Sequence, residues 1–345
     1  MDNMMDEIEE EQARGLELQS AILHVLDGRR HRISLSEQTL DLEQPPIEKY
    51  VKRYVNRCRK DMRCAPAHFA KDSAFEALLS RYFRQEISLA EFSADAVQPL
   101  IRYFEHEEAR SFEVLFADYR VDDVPFLAVV LLEEQDTLAC VTSAENGRIY
   151  NTIGFGNTAL PAVSRPVSSF AVINTLTGDI DCVDVTKWND GTFLMMDLFL
   201  DAKAGLSRKE VVENVKVIIC EVAEECAENP TVLLSKVKNY ISDTAKEGMP
   251  LRTETLVSEL FDEQPEMKER FLEKAAEKTL PPEVDLPRAA VAASMKKQKI
   301  KTDTGIEITF PAEYFRNQEF IEFVNHSDGT ITIEIKQISK ITNRM

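Results

Sequence analysis

The apolar run that ends at Leu26 reads as a strand from Leu16, and Arg32 to Leu42 reads as its returning partner. Asp27-Gly28 between them supplies the φ > 0 residues of a two-residue hairpin turn. Beyond Pro45-Pro46, the residues Ile47, Tyr50, Val51, Tyr54, Val55, Cys58 and Met62 recur at intervals of three and four, the stripe of an amphipathic helix. Further helices are expected near Ala74 to Arg84 and Leu89 to Glu107. The pattern then changes to short apolar or alternating runs rich in Val, Ile, Phe and Thr. Phe112 to Val121, Phe126 to Leu132, Leu138 to Thr142, Ser169 to Leu176, Ile180 to Val185 and Thr192 to Leu198 predict a mostly antiparallel sheet. Asn151 to Ser168, with its Gly, Pro, Ser and Asn, predicts a long surface loop.

A second block opens at Ala204 to Ser207. Ser207 and Glu210 have capping-box spacing, and Val211, Val212, Val215, Ile218, Ile219, Val222 and Cys226 continue an apolar helical face. Asn229-Pro230 starts the next helix with Pro at its first position, where the missing N–H costs nothing. Shorter helices follow at Thr253 to Phe261 and Pro265 to Lys278, then a connection marked by Pro281, Pro282 and Pro287. Lys296 to Lys301, Ile306 to Phe310, Phe320 to Val324 and Thr330 to Lys336, with Asp328-Gly329 as a turn, predict a small terminal sheet. The expected fold is α+β in two domains: residues 1–203 with helices and a mostly antiparallel sheet, and residues 204–345 with a helical block and the small sheet. A chain of 345 residues is more than one core usually carries.

Composition narrows the function. The net charge is −19, which excludes a uniformly basic nucleic-acid coat and leaves only a local basic face for phosphate. Residues 1–27 carry −7, residues 28–103 carry +4 and residues 107–201 carry −11, so one stretch alone is basic. No run of about 18 apolar residues occurs, and the start is acidic where a secretory signal would be basic and then apolar. A cytoplasmic protein with no membrane partner is expected. Cys58, Cys64, Cys140, Cys182, Cys220 and Cys226 show no C-x-x-C spacing, and reduced, mostly buried thiols are expected.

The most informative segment holds Lys49, Lys52, Arg53, Arg57, Arg59, Lys60 and Arg63 against the single acid Asp61. On a helix most of these fall away from the apolar stripe and form a basic ridge that can line phosphate oxygens without reading bases. The competing reading is a solvated face that balances the acidic sheet by intramolecular pairs. Lys296, Lys297, Lys299 and Lys301 form a second cluster; on a strand the last three share a face, with Ile300 turned to the core. Lysines on an edge strand also serve to block edge-to-edge pairing. Gly154-Phe155-Gly156-Asn157-Thr158-Ala159 fits a loose dinucleotide pattern, but Leu160-Pro161 follows where a helix must open. Asp328, Glu334 and Lys336 have the residue types of a Mg²⁺-dependent nuclease, although a hairpin turn and an exposed strand explain them equally. Asp179, Asp181 and Asp184 match no calcium loop. His24, inside the apolar run from Ala21, reads as a satisfied core histidine, and Trp188 as a packing anchor. No metal or other cofactor is expected.

Ala21 to Asp27 (AILHVLD), Phe112 to Leu132 (FEVLFADYRVDDVPFLAVVLL), Gly178 to Trp188 (GDIDCVDVTKW) and Ile306 to Lys336 together resemble the bacterial nucleoid-associated proteins of the NdpA type, from about Leu16 to Lys336. The resemblance implies a cytoplasmic, nucleoid-associated protein that contacts DNA or DNA-bound partners, with no enzymatic activity assigned. It supplies no set of binding residues, so the basic residues above rest on charge and periodicity. With a net charge of −19, either a local face makes the DNA contact or another protein does. The competing readings are an acidic adaptor that engages a basic protein through residues 107–201 and the nuclease at Asp328, Glu334 and Lys336. The oligomeric state, a homo-oligomer included, is not fixed by the sequence.

Overall fold

The computed structural model describes residues 15–28, 32–104, 111–133, 138–145, 148–155, 159–188, 190–295, 297–302, 304–311, 314, 320–325 and 331–340. The chain divides into two units between Ser207 and Arg208. In the first, the strands are β1 (Leu16–Asp27), β2 (Arg32–Ser34), β3 (Ala65–Phe69), β4 (Ser111–Val121), β5 (Val124–Glu133), β6 (Leu138–Glu145), β7 (Arg148–Phe155), β8 (Ser169–Asn174), β9 (Ile180–Asp184) and β10 (Ala202–Ala204). Eight of them form one sheet in the order β10-β3-β9-β8-β5-β4-β1-β2, antiparallel at every pairing, while β6 and β7 pair with each other.

Side chains alternate across this sheet, and both faces are apolar because both are covered. Phe112, Val114 and Phe116 of β4 and Leu127, Val129 and Leu131 of β5 face one core. That side carries α2 (Ala74–Phe83), α3 (Leu89–Ala96), α4 (Gln98–Phe104) and a π-helix at Leu194–Leu200. Leu115, Ala117 and Tyr119, with Ala128, Val130 and Leu132, face the other core, under α1 (Pro45–Arg59). In β1 a register shift between Leu18 and Ser20 changes the parity, so Leu16 and Leu18 share the α1 face with Ala21 and Leu23. Without that extra residue one half of β1 would present the wrong face to each core.

Several expectations are corrected. The hairpin after β1 is no two-residue turn: Asp27 stays in the strand opposite Arg32, with its carboxylate accepting from the Ser111 hydroxyl at 2.7 Å. The returning strand ends at Ser34, because Ser36 turns the chain by donating its N–H to His24 Nδ1 and its hydroxyl to the Leu23 carbonyl. The segment from Leu89 breaks at Val97 into α3 and α4, with Pro99 in the first turn of the latter. Asn151 to Phe155 belongs to β7, so the connecting loop is shorter than expected. Thr192 to Leu198 is no strand. There the Asp184 carboxylate accepts the N–H groups of Met195 and Met196 at 2.6 and 2.8 Å, and Asp197 accepts that of Phe193 at 2.8 Å. These bonds start a helix that buries Leu194, Met195, Met196, Phe199 and Leu200.

The second unit contains α5 (Arg208–Glu225), α6 (Pro230–Glu247), β11 (Leu251–Arg252), α7 (Thr253–Leu260), α8 (Pro265–Glu277), β12 (Glu283–Val284) and α9 (Arg288–Met295). They are followed by β13 (Lys297–Lys301), β14 (Glu307–Pro311), β15 (Ile321–Asn325) and β16 (Ile331–Ile335). The apolar face read from the sequence is buried at Val211, Val212, Val215, Ile218, Ile219 and Val222 of α5, Cys226 just past its end is half-buried, and α6 buries Val237 and Ile241. Asn229 caps α6 by accepting the Thr231 N–H at 2.9 Å. The terminal strands form two separate hairpins, β13–β14 and β15–β16, instead of one small sheet. The fold is α+β.

Candidate nucleic-acid interface

Pro45 and Pro46 open α1, and Val51, Tyr54, Val55 and Cys58 seat it on the sheet. Met62, the last residue of the expected stripe, lies beyond the end of the helix. One flank of the helix grips the segment that precedes β8. The hydroxyls of Tyr50 and Tyr54 donate to the Pro161 carbonyl at 3.0 and 2.8 Å, the Arg57 guanidinium to that of Val163, and Arg63 to that of Val167 at 3.0 Å. Four side chains thus satisfy carbonyls of a loop that has few backbone partners of its own. Burial pushes the Tyr50 and Tyr54 hydroxyls up, so both remain protonated donors.

The ridge predicted from the sequence is therefore divided between two tasks. Arg57 and Arg63 face the loop, and Arg63 also pairs with Asp61 at 2.6 Å. Burial alone would raise the Asp61 carboxyl, yet its bonds to Arg63 hold it below the usual carboxylate range. Lys52 pairs with Glu48 at 2.6 Å, and Arg59 lies over the Phe126 ring, 5.8 Å from its centroid. Lys49 is exposed, and Arg53 and Lys60 are half-buried. These three stand at i, i+4 and i+11, on the surface opposite the buried stripe.

Of the second cluster, Lys296 lies outside the described residues and Lys297 is placed only as the first residue of β13. Lys299 and Lys301 are exposed and Ile300 between them is half-buried; Lys299 pairs with Glu307 at 2.7 Å. For the nuclease reading, Asp328 and its turn also lie outside the described residues, while Lys336 is bound to Glu322 and stands 3.7 Å from Glu334. Among the described residues no group of three His, Cys, Asp or Glu side chains could hold a metal ion. Gly154 sits in β7 opposite Ala139, not in a phosphate-binding turn.

His24 is fully buried, with Nε2 2.8 Å from the Ser93 hydroxyl, as expected of a satisfied core histidine, and Trp188 is packed in the same core. Cys58, Cys64, Cys182, Cys220 and Cys226 are not joined in disulfides, and the first three are buried. Arg165, in the gripped loop, carries no signal in the sequence beyond being a lone base among Gly, Pro and Ser. Its setting became visible only when the loop was placed beside α1.

No helix among the described residues is long and apolar enough to cross a membrane. A comparison with curated proteins finds no match. The family described as Nucleoid-associated protein YejK matches residues 22–342, a span that runs from within β1 through the rest of the eight-stranded sheet, the helical block and the terminal hairpins. That near-complete match agrees with the ordered strand patterns of the sequence, and the chain belongs to the nucleoid-associated protein YejK family.

Proposed function

We propose that the protein associates with the nucleoid in the cytoplasm by direct, sequence-nonspecific contact between duplex DNA and the outer face of α1, without catalysis. The observation that carries this reading is the stripe of Lys49, Arg53 and the C-cap residue Lys60 along a helix whose opposite face is fixed to the sheet, in a chain of net charge −19. Such a stripe binds by releasing counterions from the phosphates. Lys299 and Lys301 of β13 are a separate basic pair in the second unit.

A second reading has its own support. Lys49, Lys52, Arg53, Arg57, Arg59, Lys60 and Arg63 all have interactions within the chain, and residues 107–201 are strongly acidic, which suits a basic protein that itself holds DNA. Fluorescence anisotropy with a labelled random duplex separates the two. Direct contact gives binding that weakens with salt between 50 and 200 mM and is lost when Lys49, Arg53 and Lys60 are changed together to Gln. Absence of binding by the unaltered protein at 50 mM salt rejects direct contact and leaves the protein partner.

A further inference from the structure

The loop gripped by α1 brings a cation of its own to that helix. Arg165 follows a turn closed by its N–H on the Ala162 carbonyl at 2.9 Å, and its side chain is exposed. It stands two residues from each of the carbonyls held by Arg57 and Arg63, those of Val163 and Val167. Val167 is buried in the core under α1, and Arg165 lines one small cleft with Tyr54 and Pro161. Leu131, Leu132 and the exposed Glu133 line the same cleft. A side chain that long, exposed on a loop pinned at three carbonyls beside the basic helix, can reach an external anion.

We propose that Arg165 is a phosphate-contacting residue of the DNA-binding face, and that Tyr50, Tyr54, Arg57 and Arg63 are positioning residues that hold its loop against α1. This rests on the reading of α1 as the DNA contact and redistributes the work within it: Lys49, Arg53, Lys60 and Arg165 meet phosphate, whereas Arg57 and Arg63 act through the loop.

The test is anisotropy with a random duplex from 50 to 200 mM salt, using the full chain and two variants. Four phosphate contacts give a log–log slope near −3.6, which is about a 150-fold loss of affinity over that range. R165Q should bring the slope to about −2.7 and the loss to about 40-fold, uniformly across duplex sequences. The double variant Tyr50→Phe, Tyr54→Phe keeps every charge and both rings but releases the Pro161 carbonyl, and should show part of the same flattening. If R165Q keeps the full slope while the Lys49, Arg53, Lys60 to Gln variant loses it, the assignment of Arg165 is overturned and the helix reading stands. If R165Q flattens the slope and the tyrosine variant does not, Arg165 binds phosphate without needing the grip, and the positioning role is overturned. If the unaltered protein fails to bind at 50 mM salt, both readings fall together.

Discussion

The buried imidazole of His24 makes the first unit sensitive to mild acid. The Ser36 N–H points at Nδ1 from 3.0 Å, so Nδ1 must be the acceptor and the ring proton sits on Nε2. That proton is donated to the Ser93 hydroxyl at 2.8 Å, and Ser93 passes its own to the Ala90 carbonyl at 3.2 Å. A second ring proton on Nδ1 would face the Ser36 N–H, a donor. Burial accordingly lowers the His24 pKa from 6.5 to about 4. The folded state therefore stays neutral in a range where the unfolded chain takes up a proton, so stability falls as pH drops below 6.5 and levels off below 4. The full difference is about 3 kcal/mol, and the part lost between pH 7 and pH 5 is about 2 kcal/mol. Urea unfolding followed by the fluorescence of Trp188, the single tryptophan and buried in this unit, reads the change. Carboxylates also titrate over this interval, so the comparison is with His24→Gln, which is neutral at both pH values. The loss on going to pH 5 should be about 2 kcal/mol larger for the unaltered protein than for the variant. Parallel losses in the two proteins would refute the assignment of a neutral, proton-excluding site.

Asp184→Ala should cost about 3 kcal/mol in chemical unfolding, since it strands the N–H groups of Met195 and Met196 and the Ser169 hydroxyl in a covered site. Gly178 has φ of 79° and open space where a Cβ would stand, so Gly178→Ala should lose about 1 kcal/mol from backbone strain alone, without altering the spectrum of the folded protein. Lys274 on α8 bridges Glu221 and Glu225 of α5 at 3.2 and 2.9 Å. Lys274→Ala should lower the thermal midpoint slightly at low salt and not at 1 M salt; an equal effect at both would assign the loss to packing of its aliphatic stem.

The sheet was legible in the sequence where both faces are covered, as in β4 and β5, because such a strand must be apolar at nearly every position. β3 escaped notice: Ala65–Phe69 is short, contains Pro66 and offers little alternation, yet it is held between β9 and β10 by backbone bonds that need no sequence pattern. The π-helix escaped for a different reason. Its run of Leu, Met and Phe suits a strand equally well, and the choice is made by Asp184, ten residues upstream of its first helical position. The break at Val97 did carry a signal in Gln98-Pro99. In the candidate interface the charges were legible and their engagement was not. Arg57 and Arg63 find their carbonyls more than 100 residues away, and Arg165 joins the face only through that same folding.

If a chain of net charge −19 contacts DNA through one face, as proposed, the conflict must show in its salt dependence. At 0.1 M salt, charges more than about 10 Å apart are screened, so DNA senses the face it touches and little of the rest. There the stripe on α1 governs, and affinity rises as salt falls. At 0.01 M the screening length grows to about 30 Å, which spans most of a unit of this size, and the acids of residues 107–201 repel the same duplex. The two trends oppose one another, so log affinity against log salt should be linear between 200 and 50 mM and bend over toward 10 mM. A line that continues straight to 10 mM would mean that the acidic surface plays no part in the encounter.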